Sequence, residues 1–151
     1  MEKWNSVNEA LDFAIAREEE AAAFYTGLAD NTTDTAMQTL FRAFSKEEMG
    51  HKARLEAVRA RGVPPGVDKK VADLKIGDYL VDVEATPNMD YQDALIVAMK
   101  REKAAFRLYT DLAALADEPE LKDTFRFLAQ EEAKHKLHFE VEYDEKVLTE
   151  N

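Results

Sequence analysis

Four glutamates and two histidines stand in one repeated spacing: Glu18, then Glu48 with His51 three residues on, and Glu102, then Glu132 with His135 three residues on. Carboxylate oxygen and imidazole nitrogen together suit iron or manganese, and a Glu with a His three residues later lies on one face of a helix, so both can reach one ion. Four ionised carboxylates gathered in a dry layer would repel one another and lose hydration, at a cost of roughly several kcal/mol per ion unless cations compensate. Two divalent cations cancel four negative charges. The spacing therefore predicts two metal ions per chain, held by Glu18, Glu48, His51, Glu102, Glu132 and His135.

Such ligands need helices to carry them into one layer, and the hydrophobic pattern supplies four. Apolar residues spaced alternately by three and four run through Val7, Leu11, Ala14, Ala21, Tyr25 and Leu28, with Glu18 at mid-stripe. A second stripe, Met37, Phe41, Phe44, Leu55 and Val58, turns polar at Glu48 and His51. A third, Tyr91, Leu95, Ala98, Ala105, Tyr109 and Leu112, is broken at Glu102, and a fourth, Leu121, Phe125, Leu128 and Phe139, at Glu132 and His135. Heights agree: (18 + 48)/2 = 33 and (102 + 132)/2 = 117 both fall in the turn joining a helix pair, and residues equidistant from such a turn lie side by side in an antiparallel hairpin.

The first helix is expected from Ser6, with Glu9 at capping-box spacing, to about Ala29. The second runs from Thr33 or Asp34 to Arg61, stopped by Gly62 and Pro64-Pro65-Gly66. The third follows Pro87-Asn88, from about Asp90 to Ala116, and the fourth follows Asp117, accepts Pro119 in its first turn and reaches about Val147. Between the pairs, about 63–89, lies a crossover whose Val71, Leu74, Ile76, Tyr79, Leu80, Val81 and Val83 make it too apolar for a loose tether; it is expected to pack along the bundle with one short helical turn.

The two halves repeat at an offset of 84 residues. Residues 10–30 against 94–114 give 10 identities in 21, and 41–52 against 125–136 give 6 in 12, where roughly two in total would arise at ordinary amino-acid frequencies. Two hairpins of one design then pack about a pseudo-twofold axis. This duplication weighs against two plainer readings: solvated glutamates of an acidic protein, and a buried metal-free ion network with Arg17 and Arg101, which lie one residue off the stripes and are expected at the surface. Tyr25 and Tyr109, two turns beyond Glu18 and Glu102, either pack in the core or donate hydrogen bonds to ligands. Glu47 and Glu131 fall beside the stripes and are expected to be solvated; His138 matches Arg54 in the repeat and is left out of the site.

Composition agrees with an all-α, single-domain chain over residues 1–151: Gly (5) and Pro (4) are too few for a turn-rich sheet fold. With 20 Lys plus Arg against 31 Asp plus Glu, the formal charge of -11 argues against nucleic acid or an anionic membrane as partner. The absence of cysteine excludes thiolate sites, so any redox centre in this sequence uses oxygen and nitrogen ligands. No apolar run approaches a membrane span and no leader pattern is seen at the N-terminus; a cytoplasmic location is expected.

Glu18, Glu48-Met-Gly-His51, Glu102 and Glu132-Ala-Lys-His135 together resemble the ferritin-like di-iron carboxylate superfamily. The flanking Glu18-Glu-Glu-Ala-Ala-Ala-Phe-Tyr25 and Glu102-Lys-Ala-Ala-Phe-Arg-Leu-Tyr109 are most similar to its rubrerythrin branch, over about Val7 to Val141. The resemblance implies an antiparallel four-helix bundle of two hairpins joined by a long crossover. It also implies that Glu48 and Glu132 bridge two irons, Glu18 and His51 completing one and Glu102 and His135 the other. Activity would be the reduction of hydrogen peroxide or dioxygen. Ferroxidase or iron storage, manganese catalase chemistry, and a non-catalytic helical bundle are the alternatives. A full rubrerythrin carries a cysteine-ligated rubredoxin domain, absent from this sequence, so an external electron donor such as a rubredoxin is expected, as is a homo-oligomer. Rubrerythrins usually place a further glutamate three residues after the third-helix ligand; here that position is Ala105, and Ala21 matches it on the first helix, a six-ligand set closer to bacterioferritin.

Overall fold

Helix α1 covers Val7–Asn31 and α2 Thr35–Arg61; a short α3, Gly66–Val71, lies in the crossover; α4 covers Tyr91–Leu115 and α5 Pro119–Tyr143. The computed structural model describes residues 3–63, 66–83, 85–86 and 89–148. Helices α1 and α2 form one hairpin, α4 and α5 the other, and α1 packs on α4 and α2 on α5 between them. This is the ferritin-like arrangement expected from the sequence.

Each start has a local cause. The Ser6 hydroxyl accepts from the Glu9 amide at 3.3 Å, as the capping box requires, but the Glu9 carboxylate reaches one residue further back and accepts from the Asn5 amide. Asp34 accepts from the Ala36 and Met37 amides to open α2, and Asp90 accepts from the Asp93 amide to open α4. These bonds satisfy amides that have no partner inside the helix. Helix α2 ends where Gly62 takes φ 89°, its amide bonded back to the Val58 carbonyl. Helix α1 runs two residues past the expected Ala29, and α5 stops at Tyr143 rather than about Val147, widening into a π-helical turn over Asp144–Leu148. The expected breakers Pro64, Pro65, Pro87 and Asn88 lie outside the described residues.

The crossover packs, through two short pieces rather than one: α3 and a 3-10 turn, Ile76–Tyr79. Val67, Val71 and Tyr79 are buried, Tyr79 stacks on Trp4 with ring centres 5.7 Å apart, and Asp68 accepts from the Val7 amide at 2.7 Å. The crossover thus caps the first helix of the bundle it crosses.

Buried apolar residues form two clusters at opposite ends of the bundle. One holds Val7, Leu11, Leu55, Leu112, Phe125 and Leu128; the other holds Leu28, Phe41, Phe44, Leu95 and Phe139. Burying such side chains contributes about 1.5–3 kcal/mol each. The glutamates and histidines occupy the layer between them. No described helix is long and apolar enough to cross a membrane.

Candidate metal centre

All six residues are at most 3% exposed. Ligand-capable atoms of Glu18, Glu48, His51 and Glu132 lie within 4.8 Å of one another, and so do those of Glu48, Glu102, Glu132 and His135. Glu48 and Glu132 belong to both sets, so two carboxylates are shared between two four-residue groups of donors. The Nδ1 of His51 is 3.2 Å from both Glu48 Oε1 and Glu132 Oε1 and 3.5 Å from Glu18 Oε2. The Nδ1 of His135 is 3.2 Å from Glu48 Oε1 and 3.6 Å from Glu102 Oε1.

Electrostatics of the layer are those of a site built for cations. Burial, then the neighbouring carboxylates, pushes Glu48 and Glu132 well above the usual carboxylate range. Burial also raises Glu102, partly offset by His135. For His51, burial alone would favour the neutral ring, yet Glu132 and Glu18 outweigh it and hold the imidazole up at about 10; Glu102, Glu132 and Glu47 likewise hold His135 at about 9. Protons here take the place that metal charge would fill. The donor atoms fit that reading: among the described residues, Glu18 Oε2, both Glu48 oxygens, Glu102 Oε2, Glu132 Oε1 and both histidine Nδ1 atoms are buried without a hydrogen-bond partner. Each such atom costs about 1–3 kcal/mol if nothing binds it. Two buried Glu/His clusters with shared carboxylates and free donors fit a dinuclear metal site.

The tyrosines do more than fill space. Tyr25 on α1 donates to Glu102 on α4, and Tyr109 on α4 donates to Glu18 on α1, a reciprocal pair across the pseudo-twofold axis. Burial, then the surrounding carboxylates, pushes both phenols well above 10, so they remain protonated donors. One sits in each apolar cluster, closing the layer from either side.

Glu47 and Glu131 depart from expectation. Glu47 is half exposed, but its carboxylate is 2.6 Å from His135 Nε2 in the opposite hairpin. Its repeat partner Glu131 is 4.0 Å from His51 Nε2 and bound to Lys134. A carboxylate on Nε2 fixes the ring with Nδ1 turned toward the site. The available signal was the pair Glu47-Glu48 matched by Glu131-Glu132; a residue beside the stripe of one helix faces the seam with the neighbouring hairpin. Arg17 and Arg101 are partly exposed, as expected, and lean on Phe13 and Phe24 at 4.8 and 5.3 Å from the ring centres. His138 stays outside the layer, edge-on to Phe44.

A family model described as rubrerythrin matches residues 9–143. No curated protein matches the chain. Among solved structures, a hypothetical protein from Pyrococcus furiosus is similar over 92% of this chain and 89% of its own, with a TM-score of 0.69 and 24% identity, a likeness that speaks to the fold.

Proposed function

Because the chain belongs to the rubrerythrin family, we propose that its buried layer holds two iron ions and reduces hydrogen peroxide or dioxygen with electrons from a separate donor such as a rubredoxin. The observation that carries this reading is the overlap of the two Glu/His sets at Glu48 and Glu132. Glu48 and Glu132, which belong to both sets, would serve both irons, with Glu18 and His51 helping to hold one and Glu102 and His135 the other. When bound, a di-iron pair supplies two electrons at one place, enough to cleave the O–O bond of peroxide to two waters with two protons taken up.

The chain's own residues do the rest. Glu47 orients the His135 imidazole through its Nε2, while Glu131 stands 4.0 Å from the Nε2 of His51. Tyr25 and Tyr109 hold Glu102 and Glu18 by protonated hydroxyls, leaving the second oxygen of each carboxylate for an ion. The two apolar clusters keep bulk water from either end of the layer.

Metal analysis of protein purified without added metal, followed by peroxide turnover with a reduced rubredoxin, tests the reading. Two irons per chain and repeated turnover are expected; zero or one ion at full occupancy would sink it, and two manganese ions would replace iron in it. Ferroxidase is the second reading, favoured by Ala105 where relatives usually carry a carboxylate. It predicts that iron(II) added beyond two per chain is oxidised and retained, with no dependence on the donor.

A further inference from the structure

The layer is not equally closed on all sides. On the α2/α5 side Phe44 lies flat on His135 with ring centres 4.1 Å apart, Phe127 stands edge-on to His51 at 6.3 Å, and Glu47 backs His135. On the α1/α4 side a narrow cavity of about 40 Å³ touches all four glutamates. Neither histidine lines it. Its walls are mainly apolar, formed by Phe13, Ala21, Ala104, Ala105 and Leu108, with Tyr79 and Val81 of the crossover over them. The methyl groups of Ala21 and Ala105, one turn past Glu18 and Glu102, leave this space open; larger side chains there would fill it.

The outer end is charged. A wider cavity of about 370 Å³ shares Arg17, Tyr79, Val81 and Arg101 with the inner one and adds Glu20. Glu20 is 3.0 Å from Arg17 and 4.0 Å from Arg101, so two guanidiniums share one carboxylate and the mouth keeps a net positive charge in a chain of net charge -11. Each arginine is steadied by a phenylalanine ring. Among the described residues, the buried Nε of each has no hydrogen-bond partner, so each retains an unused donor beside the passage.

Resting on the reading of the layer as a two-metal centre, we propose that small oxidants reach it from the α1/α4 face, past the Arg17–Glu20–Arg101 mouth and beneath Val81, and that this route favours small neutral or anionic molecules over cations. The inner volume has room for about three water-sized groups, which suits peroxide or dioxygen and excludes bulky substrates. Positive charge at the mouth repels divalent cations and attracts anions, so metal ions load by another path. Arg17 and Arg101 are thus selectivity residues of the passage.

The test measures binding of two probes, anionic azide and neutral nitric oxide, to the iron-loaded chain by stopped-flow absorbance. Val81→Trp, outside the helices, and Ala105→Leu, inside the cavity, should each slow both probes at least tenfold. Iron stoichiometry and the rate of iron uptake should stay at wild-type values in Val81→Trp. Arg17→Gln combined with Arg101→Gln should slow azide at least threefold and leave nitric oxide unchanged. If Val81→Trp holds two irons and binds both probes at the wild-type rate, the passage lies elsewhere. If the double glutamine variant leaves the azide to nitric oxide ratio unchanged, or if Val81→Trp slows iron uptake as much as probe binding, the selectivity is wrong. A wild-type chain holding fewer than two ions would instead overturn the reading of the centre, and the passage with it.

Discussion

At the scale of single residues the layer is matched but not equal. Glu47 sits within hydrogen-bonding distance of His135, whereas Glu131 stands 4.0 Å from His51 and shares its charge with Lys134. Removing an outer partner of a metal-bound imidazole weakens binding by about 10- to 100-fold. Glu47→Gln should therefore weaken one of the two ions by that order, and Glu131→Gln should change affinity much less, as a chelator-competition titration resolving two steps would reveal. Equal effects would mean the inequality is lost once metal is bound. Protons give a second prediction. His51 and His135 are held at about 10 and 9 in the folded chain, against an ordinary 6.5. A raised histidine stabilises the fold fully below 6.5, and that contribution fades as pH climbs through 9 to 10; the raised Glu48 and Glu132 work in the same direction from about 4.5 upward. This cluster makes the metal-free chain lose stability between pH 6.5 and 9, while metal, which must displace those protons, binds more tightly. The gap in melting temperature between loaded and metal-free protein should widen across that window in calorimetric scans; a constant gap would contradict the assignment.

At the scale of elements, helices end where backbone chemistry dictates. Gly62 closes α2 at φ 89° and ψ 156°, a region that is almost the preserve of glycine, and a Cβ there would meet nothing within 4 Å. Gly62→Ala is therefore a pure backbone test. It should cost about 1–3 kcal/mol, roughly 2–4 °C of melting temperature per kcal/mol at this chain length, with metal stoichiometry untouched. No measurable loss would show that the turn rearranges to another conformation. The stripes also explain why the polar layer survives in the core: each helix carries its glutamate between apolar turns, so register is fixed from both sides. Phe41 and Phe125, matched by the 84-residue offset, lie in opposite clusters.

For the whole molecule, each half of the centre draws on both hairpins: Glu132 joins the set around His51, and Glu48 the set around His135. Metal then ties the hairpins together, and ions that bind only the folded chain stabilise it by mass action, by about 2.7 kcal/mol at a hundred times the dissociation constant. Loaded protein should melt higher than metal-free protein, and Glu48→Ala should remove most of that gain, since one carboxylate serves both sets. A variant that keeps the full gain would show that Glu48 is not shared. The same construction predicts that neither hairpin alone binds two ions.

Four helices, their order, and the layer at which Glu and His meet were legible in the sequence because burial writes a 3.6-residue pattern into each helix and duplication repeats it. Cap residues such as Ser6, Asp34 and Asp90 marked helix starts for the same local reason. What crosses between helices was not legible. The reach of Tyr25 to Glu102 and of Tyr109 to Glu18, the seat of Glu47 on His135, and the mouth that Arg17 and Arg101 form under the crossover all join residues 77 or more apart, or depend on where Val81 comes to rest. Periodicity tells which way a side chain points from its own axis; only the packing of one helix against another decides what it finds there.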